Sequence, residues 1–386
     1  MSRSTRLQRL LKYLEHDPQN SALRKDAIRE AFDADQWSIA RELIDAGLDL
    51  NPSDPQLLAQ GGFAALAAMQ YRQAAEMLQA AIALGVQESD VHYDLGLALF
   101  MLGRHSAALS ALTPAKADPH VLLLRARCWH YLERRDDAET ACRECLVAQP
   151  ADPDANGLLA LLLYEGGRGE AARANVEVAL ASDPCQREAL LTEASIEADA
   201  GNYDAARQSF DMLLQAHPRC GRGWLGSALV ELTLMNLDVA LCQIERAALH
   251  IPGHIGTWHV LGWIEILRGK PAAAEVAFEK ALAIDRTCAE THGGLAVLAV
   301  MQGRTHEARD SIKRALCLDP QAVSPKYAQM LLLRDSGQEA AAEEMLDSVM
   351  ARRVVGRDQQ YRQLVVAQIK LLQTRAPGNP AGMVYH

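Results

Sequence analysis

Aromatic residues make up only 5% of this 386-residue sequence, and long hydrophobic runs are missing although hydrophobic residues reach 49%. No run approaches the roughly 20 apolar residues of a transmembrane helix, so we predict no membrane insertion. No segment has the pattern of a strand, and the regularly spaced single Gly and Pro residues favour helix throughout. An excess of positive charge is missing too. The formal net charge of −10 disfavours nucleic acid as the main partner.

The N-terminus lacks the continuous apolar core of a secretory signal peptide. Its leucines lie instead on one side of a short predicted helix, at Leu7, Leu10, Leu11 and Leu14. The eight cysteines fall on apolar helical stripes rather than in loops, where small secreted proteins place their disulfides. These features predict a reducing compartment, and we expect a cytoplasmic protein.

A period of 34 residues runs along the chain, as between Trp224 and Trp258. At this spacing, alanines open the predicted second helix of each repeat, at Ala206, Ala240, Ala274, Ala308 and Ala342. The bend before that helix carries Gly201, Gly269, Gly303 and Gly337, with Met235 in the same place. Prolines end second helices, because they lack the N–H and fix φ, at Pro52, Pro150, Pro184, Pro218, Pro252 and Pro320.

The period predicts ten repeats over residues 21–356, starting at residues 21, 55, 89, 119, 153, 187, 221, 255, 289 and 323. The step from 89 to 119 is 30 residues, about one helical turn short, and Thr113-Pro114 lies inside its second helix. We therefore expect that helix to be shortened. Residues 1–20 are predicted to hold an N-terminal capping helix, residues 357–374 a C-terminal one, and residues 375–386 a flexible tail.

The pattern resembles the tetratricopeptide repeat family, in which large residues on a first helix meet small alanines where the helices cross. The resemblance implies an all-α, right-handed superhelix of about ten helix pairs, whose first helices line a concave groove that binds peptides or partner proteins. Asn156 and His292 depart from it, since they stand where other repeats carry Trp224 and Trp258. This departure leaves the local packing there open.

We predict that the groove face binds an apolar or amphipathic protein segment, because a contiguous apolar face of this extent exceeds what a soluble monomer normally exposes. The alternative is that neighbouring helices cover these residues. The predicted face consists of Phe63, Tyr93, Leu97, Phe100, Met101, Arg127, His130, Tyr131, Tyr164, Leu229, His259, Trp263, Ile266, Val297 and Met301.

An acidic ladder recurs at the same 34-residue spacing, at Glu197, Glu231 and Glu265. Helical spacing places these carboxylates on the packed side of first helices, where a charge needs a hydrogen bond or an ion pair. Arg207, Lys280, Arg222 and Arg268 are candidate partners. We favour a structural role, in which these carboxylates fix the register of the helices. The alternative is an acidic track that binds basic side chains of a ligand.

Cys142-x-x-Cys145 superficially resembles half a zinc site, but these positions hold Val176 and Ala179 in the next repeat, which predicts core residues. His250, His254 and His259 have no carboxylate or cysteine near them in the sequence, which makes a weak metal signal. No phosphate loop or catalytic signature is present. We therefore predict no metal, no cofactor and no catalysis.

From residue 351 onward, six basic residues stand against Asp358 alone, which marks either an interaction end or a solvated capping helix. The whole pattern predicts a protein-binding scaffold, adaptor or secretion-type chaperone. Two alternatives stay open. One is a self-assembling structural protein, a homo-oligomer, and the other is the regulatory subunit of an enzyme on another chain.

Overall fold

The computed structural model describes residues 3–350, and over that range the chain forms helices and turns with no strand. The predicted all-α architecture of helix pairs is confirmed. The predicted C-terminal capping helix, the tail and the basic region from residue 351 lie outside the described residues. The chain divides into two compact units, Met1–Ala189 and Leu190–His386.

The first unit contains eleven helices and the start of a twelfth. They are α1 (Arg3–His16), α2 (Ser21–Asp33), α3 (Trp37–Leu50), α4 (Pro55–Ala67), α5 (Tyr71–Ala83), α6 (Ser89–Met101), α7 (His105–Leu112), α8 (Pro119–Tyr131), α9 (Arg135–Ala148), α10 (Pro153–Glu165) and α11 (Gly169–Ser182). The boundary between the units falls inside α12 (Arg187–Asp199).

The described part of the second unit continues the same alternation. Its further helices are α13 (Tyr203–Ala216), α14 (Gly221–Thr233), α15 (Leu237–His250), α16 (Ile255–Leu267), α17 (Pro271–Ile284), α18 (Ala289–Met301), α19 (Thr305–Leu318), α20 (Val323–Asp335) and α21 (Glu339–Met350). First helices are the even-numbered ones from α2 to α20, and they pack on the second helices that follow them.

Alanine at the fourth residue of the second helix lets each pair approach closely. Ala206, Ala240, Ala274 and Ala308 have no exposed surface, and Ala342 has 4%. A larger side chain there would hold the helix axes apart.

Several first helices begin at an Asp-Pro pair, in which the aspartate accepts hydrogen bonds from the first free amides and the proline occupies a position that needs no N–H.

The second helix of the short repeat, α7, has 8 residues, as the 30-residue spacing predicts. Its C-terminal carbonyl groups have no next turn to bind. The Arg125 guanidinium of α8 donates to the carbonyl oxygens of Leu112 at 2.6 Å and Ala115 at 3.4 Å. A side chain of the following repeat therefore takes over the role of the missing turn.

In several first helices the fourth residue has a side-chain N–H group that donates a hydrogen bond. This residue need not be a tryptophan. Trp258 Nε1 donates to the Pro252 carbonyl at 2.8 Å, and Trp224 makes the same bond. Asn156 Nδ2 donates to the equivalent carbonyl at 3.0 Å, and His292 Nε2 lies 2.9 Å from its own. The two departures from the family pattern therefore preserve the hydrogen bond that joins the helix to the preceding turn.

The fifteenth residue of every repeat adopts the left-handed conformation, with φ between 55° and 78°. Six of these positions hold glycine, including Gly201, and four do not: Asp35, Met69, Glu133 and Met235. For a residue with a side chain this conformation costs roughly 1–2 kcal/mol.

Met235→Gly is therefore expected to stabilise the protein by about 0.5–1 kcal/mol, because relief of that strain exceeds the added entropy of the unfolded chain. Gly201→Ala is the matched control and should destabilise by about 1 kcal/mol. Urea denaturation measures both. A lower midpoint for Met235→Gly would show that its side-chain packing outweighs the backbone strain.

Candidate functional site

The predicted binding residues of the first unit all reach the surface. We call this set the first-unit face: Phe63, Tyr93, Leu97, Phe100, Met101, Arg127, His130, Tyr131 and Tyr164. Phe63 is 41% exposed, Met101 47% and Tyr131 59%, while the other members are half-buried. Since these side chains come from α4, α6, α8 and α10, the face follows successive first helices.

Two aromatic clusters lie on this face. In the first, Phe100 of α6 meets Tyr131 of α8 with ring centroids 5.6 Å apart, and His105 of α7 stacks on Tyr131 at 4.5 Å. Sequence reasoning missed His105, because only first helices were considered and His105 begins a second helix. Burial lowers the pKa of His105, so its ring is neutral at pH 7 and stacks as an uncharged aromatic.

The second aromatic cluster joins Phe63 of α4 to Phe32 and Trp37 of the preceding repeat. The ring centroids lie 5.3 Å apart for Phe32 and Phe63 and 5.8 Å apart for Trp37 and Phe63. Phe32 and Trp37 were also missed, although Phe32 occupies the same repeat position as Phe100. The Phe32–Phe63 contact is edge-to-face and the Trp37–Phe63 contact is tilted, and both leave part of each ring exposed.

Arg127 and His130 of the first-unit face lie beside carboxylates of the following repeat. Arg127 Nη2 lies 3.1 Å from Asp154 Oδ2, and His130 Nδ1 lies 3.7 Å from Glu165 Oε2. Both pairs join α8 to α10. They fix the spacing of these two first helices, and they hold the Arg127 charge beside the apolar rings.

Four predicted binding residues of the second unit lie in its core instead, and this corrects their placement on an accessible face. His259 and Trp263 are 1% exposed, Ile266 is 2% exposed and Val297 is fully buried. Of the remaining two, Leu229 is half-buried and Met301 is 50% exposed.

Close approach of α18 and α20 is one physical reason for this burial. A Cβ on Gly293 of α18 would lie 2.4 Å from Pro325 Cδ and 2.6 Å from Ser324 Cβ, so glycine alone permits the contact. Tyr327 of α20 then lies with its ring centroid 6.5 Å from that of Trp263.

His259 Nε2 lies 2.6 Å from Thr291 Oγ1, and burial lowers the pKa of His259 to about 3. The ring is therefore neutral, and first helices cover one another here.

The acidic ladder is joined to neighbouring polar side chains. Glu231 is 6% exposed and accepts two hydrogen bonds from Arg207, from Nε to Oε1 at 2.6 Å and from Nη2 to Oε2 at 2.7 Å. Asn236 Nδ2 donates to the same carboxylate at 2.8 Å. Arg207 lies on the second helix of the preceding repeat, so the bond ties one repeat to the next.

The other two ladder carboxylates are held differently. Arg268 Nη1 lies 3.1 Å from Glu265 Oε2, and Nη2 of the same guanidinium lies 3.0 Å from Asp238 Oδ1. Half-buried Glu197 accepts a hydrogen bond from Asn202 Nδ2 at 2.8 Å. Of the other candidate partners, Lys280 lies over the Trp258 ring, with Nζ 4.5 Å from the ring centroid.

Glu231→Ala is expected to lower the free energy of unfolding by about 2 kcal/mol, because it removes three hydrogen bonds of a buried carboxylate. Hydrogen bonds from Arg207 lower the pKa of Glu231, so its contribution is present above the ordinary pKa of 4.5 and is lost as the pH falls below it. Urea denaturation at pH 7 and pH 4 measures this. Glu197→Ala is the control and should cost less. Equal stability of Glu231→Ala and wild type at pH 7 would contradict a structural role.

Cys142 and Cys145 are core residues, as predicted, but the expectation that all eight cysteines lie on apolar helical stripes is wrong. Cys185, Cys220 and Cys288 lie in the turns between helices, and Cys242 and Cys317 are exposed on second helices. Cys128 and Cys142 have no exposed surface, Cys145 has 1%, and burial raises the pKa of Cys142 to about 12. Within residues 3–350, no three His, Cys, Asp or Glu side chains are arranged to hold a metal ion. No helix within that same range has the length and hydrophobicity needed to cross a bilayer.

Comparison with protein families gives matches along much of the chain. A tetratricopeptide repeat model matches residues 62–120, 131–185 and 191–253, and a second tetratricopeptide repeat model matches residues 265–331. Together the matched segments span more than half of the sequence.

Individual proteins and solved structures are similar to different shares of the chain. Cellulose synthase operon protein C of Komagataeibacter xylinus is 31% identical over 102 residues, which are 25% of this chain and only 8% of that protein's length. A structure of an IFIT1 mutant with Gppp-AAAA is 14% identical and covers 91% of this chain and 90% of its own, with a TM-score of 0.57. That likeness shows a shared fold alone. PilF of Pseudomonas aeruginosa covers 55% of this chain and 96% of its own at 16% identity, with a TM-score of 0.48.

Proposed function

This chain belongs to the tetratricopeptide repeat family, and we propose that it is a non-catalytic scaffold whose first-unit face holds an apolar or amphipathic segment of another protein. An adaptor and a secretion-type chaperone both work by binding of this kind. We place this activity in the cytoplasm, because all eight cysteines are free thiols. Regulation of an enzyme on another chain would use the same binding.

The observation that carries the proposal is the exposure of the aromatic cluster at α6, α7 and α8. Tyr131 is 59% exposed although it contacts Phe100 and His105, and Met101, which follows Phe100 in the sequence, is 47% exposed. Aromatic and methionine side chains are enriched where protein interfaces form, because they bury large areas at small entropic cost. The rings of the cluster are held in place by their mutual contacts and form an accessible apolar surface. The corresponding face of the second unit is covered.

Partner capture by serine variants tests the proposal. Tyr131→Ser and Phe100→Ser should lower the amount of co-purifying partner, measured by quantitative mass spectrometry from the native source, by roughly tenfold or more. Val147→Ser is the matched control, since Val147 is 85% exposed on α9 of the same unit, and it should leave capture unchanged. Circular dichroism should show equal helicity for all three variants.

Light scattering at several concentrations distinguishes self-assembly from binding of another protein. A scaffold for other proteins stays monomeric. A molecular mass that rises with concentration in wild type but not in Tyr131→Ser would support the self-assembling alternative and contradict this proposal. Unchanged capture by Tyr131→Ser would also contradict it.

A further inference from the structure

The first-unit face contains a carboxylate among its apolar side chains. Asp94 of α6 lies three residues before Leu97 and seven before Met101, so helical spacing places the three side chains on one stripe. Asp90 begins the same stripe one turn earlier. Asp94 is half-buried, Leu97 is half-buried and Met101 is exposed, so the stripe runs from acidic to apolar along an accessible surface.

Arg127, the arginine of the first-unit face, is already engaged with another carboxylate. Its Nη2 lies 3.1 Å from Asp154 Oδ2. No described residue forms an ion pair or hydrogen bond with the Asp94 side chain. The face therefore carries a carboxyl group that no cation among the described residues pairs with.

Partial burial without a partner is unfavourable for a carboxylate. Burial, and secondarily the charge of Asp90, raises the pKa of Asp94 to about 7. Asp94 lies at the sixth residue of α6, beyond the first turn where the helix dipole would stabilise its charge. A cation from outside the chain would remove this penalty.

We infer that the segment bound by the first-unit face carries a lysine or arginine that pairs with Asp94, next to apolar side chains that contact Leu97, Met101 and the Phe100–Tyr131 cluster. The inference rests on the proposed function and names the chemistry of the partner. It selects a basic amphipathic segment over an acidic or purely apolar one. Asp94 thereby sets specificity, whereas the aromatic cluster provides most of the buried area.

Selection from a phage-displayed library of random 16-residue peptides tests this inference. Peptides selected on the wild-type protein should be enriched in Lys or Arg beside apolar residues, and those selected on Asp94→Asn should lose the basic preference. Asp90→Asn is the matched control on the same stripe and should retain it. Asp94→Asn should melt at or above the wild-type temperature, since it removes an unpaired carboxylate.

The best peptide is then synthesised with its basic residue kept or replaced by norleucine. The basic form should bind wild type at least roughly tenfold more tightly than it binds Asp94→Asn, whereas the norleucine form should bind both equally. From pH 6 to pH 8, as Asp94 loses its proton, its affinity for wild type should rise about tenfold more than its affinity for Asp94→Asn.

Other groups around α6 titrate or carry charge, which is why the pH comparison uses the Asp94→Asn variant. Besides Asp94, the titratable and charged groups of α6 and of the helices packed on it are Asp90, His92 and Tyr93 of α6, Tyr71, Arg72 and Glu76 of α5, His105 of α7, and His120, Arg125, Arg127, Cys128, His130 and Tyr131 of α8. All of these groups remain in the variant, so any pH effect that they cause would appear in both proteins.

The outcomes separate the two proposals. Peptides that need Tyr131 for binding but show no basic preference, or bind Asp94→Asn as tightly as wild type, overturn this inference and leave the proposed function standing. No enriched peptide, or binding that Tyr131→Ser leaves unchanged, overturns the proposed function and the inference together.

Discussion

Trp263→Ser is expected to lower the free energy of unfolding of the second unit by about 4 kcal/mol, since replacing a buried tryptophan by a small residue typically costs 3–5 kcal/mol. The indole is 1% exposed and meets the Phe278 ring edge-on at a centroid distance of 6.2 Å. Serine would leave a cavity between α16, α17 and α20 and bury a hydroxyl group in it.

Two controls make the Trp263 result specific. Trp263→Phe keeps most of the volume and removes an indole N–H that has no hydrogen-bond partner within the described residues, so it should cost less than about 1.5 kcal/mol. Tyr131→Ser, on the first-unit face, should cost less than about 1 kcal/mol because that ring is largely exposed. Urea denaturation measures all three. If Trp263→Ser were as stable as wild type but lost partner binding, Trp263 would be a binding residue and not a core residue.

Glu290→Ala should have the second largest effect, a loss of about 3 kcal/mol, because it removes two charge-assisted hydrogen bonds in the core. The Glu290 carboxylate is 7% exposed and accepts from the amides of Val323 at 2.7 Å and Ser324 at 2.8 Å, which begin α20. Alanine would leave these two buried amides without acceptors. The preceding repeat thus provides the N-terminal cap of α20.

Hydrogen exchange combined with denaturation tests the capping role of Glu290. Amides of the first turn of α20 should exchange much faster in Glu290→Ala, while those of α14 keep their protection. Glu290→Gln retains one acceptor oxygen and should lose about half as much stability. Wild-type stability and unchanged exchange in Glu290→Ala would show that water caps the helix equally well.

The helix pairs were predictable because their signals are local. The 34-residue period, the Asp-Pro pairs and the alanines at helix crossings each act within one repeat or between neighbours. The donor role of the fourth position was not predictable from the residue type alone. Asn156 and Trp258 differ in size and polarity, yet each side chain donates to the carbonyl six residues before it.

The candidate site was predictable only in part. Helical spacing assigned Tyr131 and Trp263 to the same side of first helices. It does not predict how closely the next helix approaches that side. That distance depends on contacts such as Gly293 against Pro325, which bring α18 and α20 together in the second unit. Half-buried Asp94 was also missed, because the sequence does not show which carboxylates the neighbouring basic side chains pair with, and therefore does not show that Asp94 has no ion-pair partner.

Site-specific photo-crosslinking tests the central claim most directly, namely that a protein segment binds on the first-unit face. Benzoylphenylalanine would replace Phe63, Met101 or Tyr131 on that face. The exposed controls in the same unit are Val147 on α9 and Leu84, which directly follows α5. After irradiation in the native source, we expect one common protein crosslinked from the three face positions and absent from both controls. Equal crosslinking from the controls, or none from the face, would contradict the account.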